Sequence, residues 1–144
     1  VLSAQATVYA FFFIGLGNIF MAQSGLGRLL RKLREARTLS TRELGQLSDI
    51  DHTYIHRLES GEKQAPSDDL LKRLLRVLKA GEREVEMAHW LASNDANPDW
   101  VEHTLTKPDL SAEMFEMGAS MRHRGTGRPD MEDIEIRVRK AFED

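Results

Sequence analysis

The chain has 144 residues, of which 41% are hydrophobic and 30% charged, with no cysteine and a formal net charge of −3. That length fits one compact domain or a small domain with an appendage, and the composition is that of a soluble globular chain, not a disordered one. The missing cysteines exclude a disulfide framework and a zinc–thiolate site, and they suit a reducing cytosol.

The charge is unevenly placed. Residues 21–92 hold 13 Lys/Arg against 11 Asp/Glu, a balance of +2, whereas residues 93–144 hold 7 against 12, a balance of −5. Phosphate binding needs local positive charge, which only the first part can offer. Residues 1–20 carry no charge and contain an apolar run over 8–16. They lack the basic opening of a signal peptide, and Gln5, Gly15, Gly17 and Asn18 interrupt them short of the about 20 apolar residues of a membrane span. Met21 follows as a natural start for what lies downstream. The segment reads first as an apolar N-terminal extension without separate function. A helix buried on the body or on a second subunit comes next, and a membrane anchor last.

From Leu26 the apolar period becomes helical: Leu26, Leu29, Leu30 and Leu33 form a stripe flanked by Arg28, Arg31, Lys32 and Arg34. Ser40 and Glu43 have capping-box spacing, in which the serine oxygen accepts from the Glu43 amide while the Glu43 side chain reaches back. Leu44 and Leu47 give this second helix its apolar face. It ends near Ser48, since Asp49-Ile50-Asp51 is turn chemistry. Asp51 caps a third helix with Ile55 and Leu58 inward, and Gly61 is placed to end it in a left-handed conformation. A fourth helix follows Ser67, with Leu70, Leu71, Leu74, Leu75 and Leu78 inward and Gly81 closing it. A fifth spans roughly residues 82–92, with Val85, Ala88 and Leu91 inward.

Residues 93–98 read as a linker. Beyond them come a short helix near 99–105, one at 111–121 with Met114, Phe115, Met117 and Met121, and one from 130 to the end with Ile134, Val138, Ala141 and Phe142. These are too short to be stable alone, so their apolar faces must dock on something. No alternating strand pattern appears. The expected fold is all-α: a five-helix helix-turn-helix domain at 21–93 with a C-terminal helical extension, 94–144, for dimerisation or partner binding.

Two short helices joined by a tight turn describe a helix-turn-helix, with Gly45, Leu47, Ile50, Ile55 and Leu58 where the two helices should touch. The stretch Leu39-Ser40-Thr41-Arg42-Glu43-Leu44-Gly45-Gln46-Leu47, followed by Ile50-Asp51-His52-Thr53-Tyr54-Ile55-His56-Arg57-Leu58-Glu59-Ser60-Gly61, strongly resembles the phage-repressor/Cro-like (XRE) family. The resemblance covers about residues 26–92. Asp49 stands where the family usually has glycine, Gly45 where it has alanine, and Thr41 where it has a common glutamine.

The resemblance implies a repressor-like fold, double-stranded DNA as partner, and a third helix whose N-terminal half meets base edges. His52, Thr53, His56 and Arg57 are then the base readers. Arg57 suits guanine O6 and N7, and Thr53 suits a thymine methyl. Thr41 and Arg42 would meet phosphate, joined by Tyr54, Ser60 and Lys63. The alternative for Arg57 is an ion pair with Glu43 or Glu59 on a solvated surface.

Three further features have bland alternatives. His52 and His56 lie one turn apart but have no third ligand nearby, so no metal is expected. The basic run Arg28, Arg31, Lys32, Arg34, Arg37 reads equally as a phosphate-facing ridge or a solvated helix face. Residues 122–129 are similar to an Arg-Gly-Arg-Pro minor-groove arm but lack its contiguous core, and a flexible inter-helix loop is preferred.

Nothing resembles a nucleophile elbow, a phosphate loop or a metal cluster, so no enzyme and no cofactor are expected. The resulting expectation is a cytoplasmic, homodimeric DNA-binding regulator, a repressor, with no membrane association. The alternative is an antitoxin-like or other protein-binding module whose acidic tail holds a partner.

Overall fold

The computed structural model describes residues 24–63, 65–122 and 125–143. Among them lie eight α-helices and no strand: α1 (Gly25–Ala36), α2 (Thr41–Ser48), α3 (His52–Ser60), α4 (Asp68–Val77), α5 (Glu82–Ser93), α6 (Pro98–Leu105), α7 (Ala112–Ser120) and α8 (Met131–Glu143). The chain is all-α. The eight helices of the described residues exceed the five of a repressor-like unit alone, and the other three are those read beyond residue 93. Residues 1–20, with the readings given them, lie outside the described residues. No helix among the described residues is long and apolar enough to cross a membrane.

Local chemistry starts most of these helices. The side chains of Ser24, Ser40, Asp51, Ser67, Asn97 and Ser111 each accept an N–H from the first turn that follows, satisfying a donor that would otherwise have no partner. The helix ends differ from expectation at one place. Gly81 does not close α4; it is the extended N-cap of α5 (φ −70°), and the left-handed residue after α4 is Lys79 (φ 50°). Leu78 is the C-cap of α4 and remains fully buried, so the turn is forced by that anchor and not by glycine's freedom.

One hydrophobic cluster runs from Leu26 to Val138. Helix α1 is its spine, packing on α3 and α5 and also on α6. Helix α7 packs on α5 and α6, and α8 on α6 and α7. The tail's apolar faces therefore dock on the first five helices, with Trp100, Val101, Leu110 and Phe115 fully buried. The indole N–H of Trp100 donates to the Phe115 carbonyl at 3.0 Å, and Trp90 meets the Phe115 ring edge-on at 5.7 Å. From α5, the Arg83 guanidinium donates to the carbonyls of Thr104, Lys107 and Leu110, which fixes the path of the chain from α6 into α7. The short connection between α5 and α6 is itself packed down: Ala96 is buried, and its carbonyl approaches the start of α1 beside Gly25.

Five inward assignments change. Leu47 is 62% exposed, because the inner face of α2 runs through Leu44, Gly45 and Ser48. Ser48 tolerates burial since its hydroxyl donates to the Leu44 carbonyl at 2.6 Å. In α5, Met87 is fully buried while Val85 is only half-buried. Met117 in α7 is exposed, and in α8 Val138 is buried while Ala141 and Phe142 are exposed, since each of these helices meets its neighbours along one narrow line.

Candidate nucleic-acid interface

The α2–α3 unit is set by contacts that leave little freedom. The Ser40 hydroxyl accepts the Glu43 amide at 3.1 Å and donates to the Glu43 carboxylate at 3.2 Å. The glutamate thus returns to the cap side chain and not to the cap backbone. Asp49 takes the left-handed conformation (φ 55°, ψ 45°) that ends α2, and the Ile50 N–H then donates to the Gly45 carbonyl at 3.0 Å. Gly45 is needed for closeness: a Cβ there would lie 2.6 Å from the Ile50 carbonyl oxygen and 3.3 Å from His52. The glycine weakens α2 relative to alanine, and it lets the turn fold back on the helix.

Asp51 then starts α3, its carboxylate accepting the Thr53 amide at 2.7 Å. That backbone hydrogen bond, aided by the Thr53 hydroxyl, holds the Asp51 carboxyl below the usual carboxylate range. Ile55 and Leu58 pin the inner face of α3. Glu59, also buried, is gripped by Arg34 of α1: Nε to Oε1 at 2.6 Å and Nη2 to Oε2 at 3.1 Å, while Nη1 donates to the Leu39 carbonyl at 2.8 Å. One guanidinium therefore ties α1, the α1–α2 loop and the end of α3 together. Beside it, Gly27 lets α1 pass so close to α3 that a Cβ would lie 2.5 Å from the Leu58 carbonyl oxygen.

This frame leaves His52, Thr53, His56 and Arg57 exposed together on the outer face of α3, where positions three and four residues apart are neighbours. Glu59 is held by Arg34 and Glu43 turns to Ser40, and among the described residues Arg57 forms no ion pair. Arg42 is exposed at the start of α2 and borders with His52 an open hollow between the two helices. Thr41 is half-buried beside it. Lys63 is exposed just past α3, its own N–H donating to the Arg57 carbonyl at 3.2 Å. Two residues of the set are differently placed. Tyr54 is half-buried against the core, and the Ser60 hydroxyl donates to the Arg57 carbonyl at 3.2 Å.

Each member of the basic run of α1 has a partner within the protein, although Arg31 and Arg37 remain exposed. Arg28 donates to Glu102 at 2.6 Å, Lys32 stands 3.0 Å from the other oxygen of Glu102, Arg31 pairs with Glu35 at 2.9 Å, and Arg37 donates to the Leu78 carbonyl at 3.1 Å. With Arg34 on Glu59, four of these side chains join α1 and its end to other elements, while Arg31 pairs only within its own helix. In the loop before α8, Arg128 pairs with Asp99 at 2.7 Å, while His123 and Arg124 lie outside the described residues.

A left-handed turn between two short helices, the first held by its cap and the second braced from behind by a buried ion pair, defines a helix-turn-helix. Residues 25–90 match a family model described as a helix-turn-helix domain, and this segment of the chain is such a domain, of the repressor-like (XRE) kind. Over 56 residues the chain is also 38% identical to a protein of Bacillus subtilis (strain 168) named as an uncharacterized HTH-type transcriptional regulator, RghRB. The match takes in 39% of this chain and spans 40% of that protein's length.

Proposed function

We propose that the chain is a sequence-specific DNA-binding transcriptional regulator, a cytoplasmic repressor that acts as a homodimer and reads the major groove with α3. The observation that carries this reading is the outer face of α3. Four adjacent side chains able to hydrogen-bond or touch base edges stand exposed there, and among the described residues the arginine of the set has no ion pair, while the cations of α1 are all engaged. His52, Thr53, His56 and Arg57 read bases, Arg57 as the bidentate donor to guanine. Thr41, Arg42 and Lys63 hold phosphates, and Tyr54 and Ser60 add weaker contacts from the flank. The name of the Bacillus relative agrees with regulation as the purpose of the domain. The task assigned is binding and not catalysis.

A selection of bound sequences from random duplexes tests the reading. It should return a palindrome whose half-sites lie about 10–10.5 base pairs apart or a multiple of that. Failure to enrich any sequence would defeat it.

A further inference from the structure

We infer that the outward face of α8, carrying Asp133, Ile136 and Lys140, is the surface on which a second copy of this chain docks, the two α8 helices lying antiparallel about a two-fold axis beside Ile136. The inference deepens the homodimer reading above and rests on it.

The inner side of α8 is fully engaged. Val138 is buried, with Met131 and Ile134 packed against the same core. Glu135 binds His103 at 2.6 Å and Arg139 at 2.7 Å, and Arg139 reaches Asp109 at 2.6 Å. On the opposite side, Asp133, Ile136, Lys140 and Glu143 follow one another at helical spacing, and all are exposed. Ile136 is 64% exposed. A single exposed isoleucine needs no explanation. Its charged neighbours give it meaning.

Asp133 and Lys140 have opposite charge and stand at equal distances on either side of the point between residues 136 and 137. They are seven residues, about 10.5 Å, apart along the helix. Among the described residues neither forms an ion pair within the chain. A two-fold axis at that midpoint sets Asp133 of each copy against Lys140 of the other and brings the two Ile136 side chains together. The same patch is used twice, as a closed two-fold contact requires. A parallel arrangement would set aspartate against aspartate and lysine against lysine, so the charge pattern itself selects the antiparallel one. At the ends Glu143 faces Asp130 of the other copy, a like-charge contact in full solvent that limits affinity. Two paired helices of this length belong with transient interfaces, under about 1,200 Å². Adjacent half-sites on one duplex would strengthen the pair through effective concentration.

Sedimentation equilibrium of the full chain tests this, with D133K, K140E, the double variant D133K/K140E, and I136D. All three positions are exposed, and circular dichroism checks that each variant is folded. Each single charge reversal should weaken self-association at least about tenfold, since it sets like charges together twice over. The double variant restores opposite charges and should return close to the wild-type value, while I136D should leave a monomer. A wild-type chain that stays monomeric at every concentration would defeat the homodimer reading together with this one. A wild-type dimer indifferent to all four variants would leave that reading standing and remove α8 as its surface. Loss in the singles without recovery in the double would overturn the antiparallel pairing.

Discussion

Helices α1 and α3 both place basic side chains on successive turns, and they differ in what those side chains meet. Arg28, Arg31, Lys32, Arg34 and Arg37 each find a carboxylate or a carbonyl of the same chain, all but Arg31 on elements far away in sequence. His52, His56 and Arg57 stand on the outer side of α3, and the one glutamate of that helix is taken by α1. The denser cluster of basic residues is thus engaged within the fold, whereas in the sparser one Arg57 forms no ion pair among the described residues and His52 stands 4.0 Å from Asp51. Counting basic residues would have ranked the two the other way round; what separates them is whether a partner is already in place.

Breaking the link between the two helices should have the largest effect. Glu59→Ala leaves the half-buried Arg34 guanidinium without its counter-charge, a loss that approaches but does not exceed the about 3–5 kcal/mol of a fully buried pair. Urea unfolding should show that loss; a change below about 1 kcal/mol would mean that the pair braces nothing. Arg57→Ala should do the opposite. Stability should stay within about 0.5 kcal/mol, as for surface substitutions generally, while binding to the selected site falls by about 1–3 kcal/mol with relaxed preference at one base pair. Equal losses on selected and random duplexes would make Arg57 a backbone contact.

Salt separates the helices more finely. Arg42→Ala should weaken all duplexes alike and flatten the salt dependence of binding by about one unit of slope. Lys32→Ala should leave that slope unchanged and cost less than about 1 kcal/mol of stability, because its pair with Glu102 is partly exposed. A reduced slope for Lys32→Ala would return the α1 run to the DNA. The smallest effect is on acid titration. The Lys32 ammonium, with Arg28, holds the Glu102 carboxyl below its ordinary 4.5, and His103, with Arg139, does the same for Glu135. Carboxyls lowered in the folded state stabilise fully above 4.5, and that contribution fades as pH falls through the lowered values. Attachment of the tail should therefore loosen only below about pH 4.5, which proteolysis of the α8 end across an acid series would report. Loosening that begins at neutral pH would point to a different clasp.

What could be read from the sequence was what neighbouring residues decide. The caps at Ser40, Asp51 and Ser67, the left-handed Asp49 and Gly61, and the leucine face of α4 all depend on residues within a turn or two. The Arg34–Glu59 pair joins residues 25 apart, and Arg28 reaches Glu102 across 74, so no local pattern announces either. Leu47 was misplaced for a related reason. In an eight-residue helix the apolar period alone does not say which side faces in, and a serine that satisfies its own hydroxyl can take the inner place. The four exposed side chains of α3 were grouped through the family resemblance. Periodicity alone marked them only as the polar side of a helix.

The packing of α6 on α1 bears on how this protein can be recombined. A chimera cut at the edges of the matched stretch, residues 25–90, would carry away α1 without the surface that covers it. Gly25 would lose Ala96, and Arg28 and Lys32 would lose Glu102. The outer face of α3 would travel intact while the back of the graft lay open, attracting other apolar surfaces to it. Transplanting the helix-turn-helix of this protein therefore means carrying α6 and α7 with it, and the portable unit is longer than the segment by which its kinship is recognised.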